Sequence, residues 1–185
     1  MLEEETERVG LTKDMFQTPD WAVEAIMPML PHTWQYWEPC AGKGNIVRCM
    51  RNNGFKIVGS DIQGGSDYSP FKKLDYLQND CADYDAVVTN PPYSCYGDFL
   101  RKGFEYGKPF AFLLPDSAMD SLERFQVIKK HGHSVSLVYL PKRVAFETPT
   151  GRMGADSKPQ YMVFWLCYKM ATQNLTGGHG KAVWL

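Results

Sequence analysis

No uninterrupted apolar run in this 185-residue sequence exceeds the eight residues from Tyr161 to Tyr168, well short of a bilayer-spanning helix. Neither sign of charge is in excess: 20 Lys and Arg stand against 21 Asp and Glu, for a net charge of −1. A polybasic binder held to nucleic acid by bulk charge is thereby excluded, and any such contact has to come from a local patch. Cysteine is sparse: Cys40, Cys49, Cys81, Cys95 and Cys167 make an odd total of five, with no Cys-x-x-Cys pair. That argues against a disulfide framework and against a zinc site, and for a reducing cytoplasmic compartment. There is no internal repeat and no low-complexity tract. The acidic opening MLEEETERVG resembles neither a signal peptide nor a transit sequence. Residues 1–14 read as a flexible lead-in, 15–170 as one catalytic domain and 171–185 as a tail. With 44% apolar and 22% charged residues, the composition is that of one globular domain.

What is present alternates between strand and helix patterns. Thr18-Pro19-Asp20 reads as a helix start, with Thr18 as N-cap and Pro19 at the first helical position. The helix would bury Trp21, Ala22, Ala25 and Ile26 and be ended by Pro28 and Pro31. Strands are expected at Trp34–Trp37, Lys56–Asp61, Ala86–Thr89, Phe110–Leu114, Val135–Leu140 and Tyr161–Tyr168. Helices are expected after Asn45 (with Ile46, Val47 and Met50 inward), around Asp98–Tyr106, and with Leu122, Phe125 and Ile128 inward before Lys129-Lys130-His131. Such alternation implies an open, mostly parallel sheet covered on both faces, whose ligand site lies beyond the carboxyl ends of the strands.

Three such ends carry chemistry. Glu38 leads into Ala41-Gly42-Lys43-Gly44-Asn45, where two glycines allow close backbone approach. This is neither a P-loop, since no Gly-Lys-Ser/Thr follows, nor a full dinucleotide fingerprint, since the third glycine is missing. A tight strand-to-helix turn is the competing reading. Asp61 ends the next strand, where a carboxylate either caps a loop or accepts two ribose hydroxyls. Asn90-Pro91-Pro92-Tyr93 is the most specific feature. Two prolines stiffen the backbone and remove two N–H donors, so the Asn amide oxygen and the Pro91 carbonyl can meet the two hydrogens of an NH₂ group. Tyr93 offers a flat face for a planar substrate. The competing reading is a plain turn after a buried strand. Cys95 lies nearby without a histidine to activate it and reads as structural.

Taken in order, Phe16-Gln17-Thr18-Pro19, Glu38-Pro39-Cys40-Ala41-Gly42-Lys43-Gly44-Asn45, Asp61-Ile62, Asp75-Tyr76-Leu77 and Asn90-Pro91-Pro92-Tyr93 resemble the motifs of S-adenosylmethionine-dependent amino-methyltransferases. The γ-ordered DNA adenine-N6 enzymes, in the small form carried by phages and prophages, are the nearest likeness. It covers residues 15–115 well and Pro141–Tyr168 loosely. The resemblance implies a Rossmann-like class I methyltransferase fold: α/β, a mostly parallel seven-stranded sheet with an antiparallel closing strand. It implies S-adenosylmethionine as cofactor and the adenine N6 amine of DNA as methyl acceptor. Phe16 and Thr18 would close over the cofactor, with Thr18 near its methionine carboxylate. Glu38 and the Ala41, Gly42 and Gly44 backbone would hold the methionyl part. Asp61 would take the ribose and Ile62 the adenine ring, with Asp75 (or Asp80 in its place) and Tyr76 beside the adenine amino group. Asn90 and Pro91 would activate the amine, with Pro92 and Tyr93 against the substrate. Duplex DNA would have to present a flipped base.

Enzymes of this kind usually carry a separate recognition domain, and none fits after residue 170. Substrate contacts are then expected from Lys142, Arg143, Arg152 and Lys158 in the Pro141–Gln160 connection, or from Lys129-Lys130-His131, and targeting from a partner or from self-association. His179 reads as tail. No metal and no membrane contact are expected. Transfer to RNA, transfer to a protein glutamine amide, or retention of a cofactor pocket without catalysis stay open as alternatives.

Overall fold

The two strands at the centre of the fold, Ala86–Thr89 (β4) and Phe110–Pro115 (β5), are buried along their whole length, as a strand covered on both faces must be. In the computed structural model, which describes residues 16–67, 69–79, 83–146, 162–170 and the backbone of 181–184, they lie in one eight-stranded sheet. The other strands are Gln35–Glu38 (β1), Lys56–Asp61 (β2), Lys72–Lys73 (β3), Val135–Tyr139 (β6), Val163–Tyr168 (β7) and Lys181–Trp184 (β8). Their order across the sheet is β3-β2-β1-β4-β5-β7-β6-β8. The pairs from β3 to β5 are parallel, whereas β7 runs antiparallel between β5 and β6, and β8 antiparallel to β6. β1, β2, β4, β5, β6 and β7 answer to the six expected strands, with β7 as the antiparallel closing strand, whereas the two-residue edge strand β3 had no counterpart in the sequence reading. The eighth comes from the segment read as a tail, where a four-residue strand offers too short a pattern to stand out.

Helices Asp20–Glu24 (α1) and Asn45–Asn52 (α2) cover one face of the sheet, and Tyr96–Tyr106 (α3) covers the other. The alternation along β5 shows why both are needed: Ala111 and Leu113 enter the first core, Phe110, Phe112 and Leu114 the second. α1 is anchored across the chain by Trp165, whose indole Nε1 donates to the Ala22 carbonyl at 2.7 Å. No helix among the described residues is long and apolar enough to cross a membrane.

Two helix expectations need correction. Pro19, not Thr18, occupies the N-cap position of α1, and no side chain caps it. The extended backbone of Pro19 starts the helix without help, which leaves the Thr18 hydroxyl for other use. Trp21 is half-buried, while Val23 is buried in its place. The helix Leu122–Lys130 (α4) is rotated relative to expectation: Ile128 is buried, but Leu122 and Phe125 are 72% and 38% exposed. Arg124 accounts for this, since its guanidinium donates to the Ala118 and Ser117 carbonyls at 3.0 Å and lies over the Tyr96 ring. A polar anchor with defined partners outweighs a two-residue apolar face.

Because Trp165 donates to the Ala22 carbonyl at a buried site, Trp165→Phe is expected to cost about 1–3 kcal/mol, read as a lowered urea midpoint with unchanged slope.

Candidate functional site at the strand ends

Chain order reverses between β1 and β4, which pair with each other at the middle of the sheet. In open α/β sheets this is where a crevice opens beyond the carboxyl ends. Glu38 ends β1, Asp61 ends β2 and Asn90 follows β4 directly.

Glu38 is fully buried. Its Oε1 accepts from the Cys40 backbone N–H at 2.8 Å and from the Thr89 hydroxyl at 2.5 Å, while Oε2 has no hydrogen-bond partner among the described residues. Burial pushes its carboxyl up to about 8; the two hydrogen bonds oppose that shift and the Asp61 charge adds to it. An acid so placed stays neutral unless a cation arrives.

The glycine loop leaves Glu38 for α2. Gly42 and Gly44 have left-handed backbones, φ 49° and 89°. Every N–H from Cys40 to Gly44 is engaged within the protein: Cys40 by Glu38 Oε1, Ala41 by the Ser60 carbonyl at 2.9 Å, Gly42 by Asp61 Oδ2 at 2.8 Å, Lys43 by Gln17 Oε1 at 3.1 Å, and Gly44 by the Ala41 carbonyl at 2.6 Å. A nest of free amides, the usual cradle for phosphate, is therefore lacking here. What Ala41, Gly42 and Gly44 can still present is carbonyl oxygen and a slim backbone. Gly44 also serves packing: a Cβ there would lie 2.8 Å from Phe71 Cζ, and one on Gly59 2.7 Å from Phe71 Cδ1. The space above these glycines holds the Phe71 ring, so Gly44 has a scaffold role in addition to the backbone it can offer a ligand.

Asp61 braces the same loop. Its Oδ2 holds Gly42 and its Oδ1 accepts from Gln63 N–H at 2.8 Å, leaving each oxygen a second lone pair. Ile62, next in sequence, is 52% exposed at the sheet end. The half-buried Asp75 folds its own loop, accepting from Leu77 N–H at 2.9 Å through Oδ1 and from Asn79 Nδ2 at 2.7 Å through its carbonyl. Asp80, the alternative to it, lies outside the described residues. Tyr76 is a correction: its ring is buried, stacked on Phe99 at 4.6 Å and packed against Trp37. An apolar slot behind the loop wins the ring, so only its backbone stays near the strand ends.

At the β4 end, Pro91 is buried and Pro92 and Tyr93 are half-buried. The Asn90 amide oxygen is buried without a hydrogen-bond partner among the described residues, as is the Thr18 hydroxyl. The Pro92 carbonyl accepts from Cys95 N–H at 3.1 Å, which tightens the turn into α3. Above the corner stands an aromatic group. Phe146 meets the Tyr93 ring edge-on at 6.2 Å between centroids and the Phe16 ring at 6.0 Å. Phe146 lies in the Pro141–Gln160 connection, where only its being an aromatic in a long loop could have singled it out. Phe71, Thr89 and Gln17 were likewise without an expected role.

The basic candidates separate. Arg143 lies near Asp116 at the end of β5: burial raises the Asp116 carboxyl above its ordinary range and the Arg143 charge pulls it back. Lys142 places its ammonium over the Trp21 ring at 4.7 Å. Lys129, Lys130 and His131 stand at the amino end of β6, opposite the crevice, so they are not part of this site. Arg152, Lys158 and His179 lie outside the described residues.

Among the described residues the crevice thus offers a buried carboxylic oxygen, an amide oxygen and a hydroxyl without partners, and no free loop amide. It suits a ligand that brings hydrogens and positive charge.

No family model matches the chain. It is 30% identical over 96 residues to the type II methyltransferase M.EcoRI of Escherichia coli, a match covering 49% of this chain and 28% of that protein. Among solved structures it resembles a Listeria monocytogenes protein assigned to the class I S-adenosylmethionine-dependent methyltransferases, with TM-score 0.56 and 17% identity over 88% of this chain and 63% of that one. It also resembles the 23S rRNA methyltransferase ErmE, with TM-score 0.57 and 12% identity over 85% of this chain and 70% of that one. The chain spans less than a third of its curated relative. Its fold is that of the Rossmann-like class I methyltransferases, whose methyl donor is S-adenosylmethionine. The unpartnered Glu38 Oε2 fits the ammonium group of that donor.

Glu38 also gives a test without ligand. The folded chain keeps a proton on Glu38 up to about pH 8, whereas the unfolded chain releases it near the ordinary value of 4.5. Stability contributed by this group is therefore complete below pH 4.5 and lost as pH rises through 8. Glu38→Gln should remove that decline, seen as a flatter dependence of urea midpoint on pH between 5 and 9 (about the span of the shift).

Proposed function

We propose that this chain transfers a methyl group from S-adenosylmethionine to the N6 amine of adenine in DNA. The observation that carries the reading is the buried, unpartnered Asn90 amide oxygen on a double-proline corner, beside a carboxylic acid that awaits a cation. The sequence likeness to a type II methyltransferase supports DNA as the substrate class.

In this reading Glu38 Oε2 holds the donor's ammonium and Thr18 Oγ1 its carboxylate, with Phe16 closing over them. Asp61 takes the ribose hydroxyls on its remaining lone pairs, the exposed Ile62 packs on the adenine ring, and Asp75 receives the adenine amino group. Bound there, the donor supplies a methyl group on a positively charged sulfur. The chain does the rest. The target nitrogen is a poor nucleophile because its lone pair is delocalised into the base. Asn90 Oδ1 and the Pro91 carbonyl accept its two hydrogens, which favours a pyramidal nitrogen and stabilises the charge that grows on it during attack. The C–S bond breaks as the N–C bond forms, and the surplus N6 proton leaves to solvent. No side chain with a tuned pKa is needed at the corner, and positioning supplies much of the remaining acceleration. Tyr93 and Phe146 offer aromatic surface for a base swung out of a duplex, and Pro92 shapes the wall. Arg143, together with Arg152, would meet phosphates. Targeting to particular sequences would fall to a partner or to self-association. The work would be done in the cytoplasm of a bacterium or a phage-infected cell.

The test is incubation with radiolabelled methyl donor and, separately, single-stranded DNA, duplex DNA, RNA and protein extract. N6-methyladenosine in digested DNA is the expected product. Label in RNA or in glutamine would replace DNA as the substrate, and donor binding without transfer would leave a binding protein. Asn90→Ala is expected to lower kcat by about 10²–10³-fold while the folded state persists by circular dichroism. Asp61→Ala should weaken donor affinity in calorimetry, and unchanged affinity would remove Asp61 from the site.

Phe146→Ala tests the aromatic wall: KM for the nucleic acid should rise several-fold, with a smaller loss of donor affinity through the Phe16 contact.

A further inference from the structure

Gln17 is a polar side chain only 4% exposed, in the segment that leads into α1, and nothing in the proposed chemistry uses it. Its Oε1 accepts from the Lys43 backbone N–H at 3.1 Å, across 26 residues of sequence. We propose that Gln17 is a positioning residue: it holds the Gly42–Lys43 peptide in one orientation and so joins placement of Phe16 and Thr18 to the shaping of the donor pocket. This rests on the reading of the crevice as a methyl-donor site.

The argument begins with the loop's freedom. Lys43 stands between two left-handed glycines, φ 49° at Gly42 and 89° at Gly44, residues that oppose rotation of the intervening peptides least. The other loop amides are held by the loop itself or by β1 and β2: Cys40 on Glu38, Ala41 on Ser60, Gly42 on Asp61, Gly44 on Ala41. The Lys43 N–H is held from the N-terminal segment. In a planar trans peptide the N–H and the preceding carbonyl point in opposite directions. Whatever fixes the Lys43 N–H therefore fixes the Gly42 carbonyl, one of the acceptors the loop can offer a cationic ligand.

The neighbours of Gln17 give this consequence. Thr18 carries a buried hydroxyl without a partner among the described residues, and Phe16 meets Phe146 over the Asn90 corner. One hydrogen bond thus sets the glycine loop on one side of the crevice and the closing segment on the other. Loss of the acceptor at position 17 should loosen both walls together, with the transfer chemistry at Asn90 left intact.

Leucine matches glutamine in size but cannot accept a hydrogen bond; glutamate can. Gln17→Leu should weaken binding of S-adenosylmethionine in calorimetry by about three- to tenfold, the worth of one such bond. Its kcat at saturating donor should stay within about twofold, and Gln17→Glu should restore affinity. Hydrogen exchange in the unliganded protein gives a readout that needs no donor: the Lys43 amide should exchange at least about tenfold faster in Gln17→Leu than in wild type and Gln17→Glu, in line with the loss of one bond's protection. Donor affinity and Lys43 exchange both unchanged in Gln17→Leu would overturn the proposal. Wild-type protein that binds no donor would overturn the reading of the crevice instead, and the exchange comparison would still decide the role of Gln17.

Discussion

A carboxylic acid with no exposed surface, bonded at one oxygen and without a partner at the other among the described residues, is the constraint around which the rest of the crevice is arranged. Glu38 ends β1, takes a hydrogen bond from the turn that follows and another from Thr89 on β4, and so ties two strand ends together across the point where chain order reverses. Burying such a group costs free energy unless it is neutral or meets a cation. The adjoining loop relieves only Oε1, through the Cys40 amide, because the four amides from Ala41 to Gly44 have other partners. The crevice is a place of acceptors. The two groups it would take in the proposed reaction, the ammonium of the methyl donor and the amine of adenine, make the same demand: oxygen facing N–H.

The sheet supplies the rigidity this requires. β4 and β5 are buried on both faces, and alternation along β5 feeds one core under α1 and α2 and another under α3. A strand clamped in this way delivers Asn90 to a fixed place, and two prolines immediately after it take up most of the freedom the turn would have had. Around this fixed end the walls are made by neighbours from distant parts of the chain: Gln17 against the glycine loop, Phe71 over Gly44 and Gly59, Phe146 against Phe16 and Tyr93. Aromatic rings fill what the glycines leave open. The loop is thin so that Phe71 can lie on it, a requirement of packing as much as of any ligand.

Much of the frame was legible in the residues alone. β2 and β4 lie at their expected positions because continuous or alternating apolar runs bounded by an acid or an Asn-Pro step admit one reading. Glu38, Asp61 and Asn90 meet at one edge because parallel strands joined by helices must bring their carboxyl ends together. α4 shows where the pattern misled. Leu122, Phe125 and Ile128 recur at helical spacing, yet Arg124 docks the helix through two carbonyls and turns the first two outward. Periodicity measures where a helix could be buried, not which polar anchor holds it.

The sequence by itself determined the order of elements, the class of sheet and the three strand-end residues, because those follow from local pattern and from the geometry of parallel strands. Tertiary structure decided who partners whom. That the Tyr76 ring belongs to the core, that Gln17 reaches Lys43 and that Phe146 stands over Tyr93 are contacts between segments far apart in the chain. Spacing along the chain carries no record of such pairings; they are set when competing side chains settle which of them fills each gap.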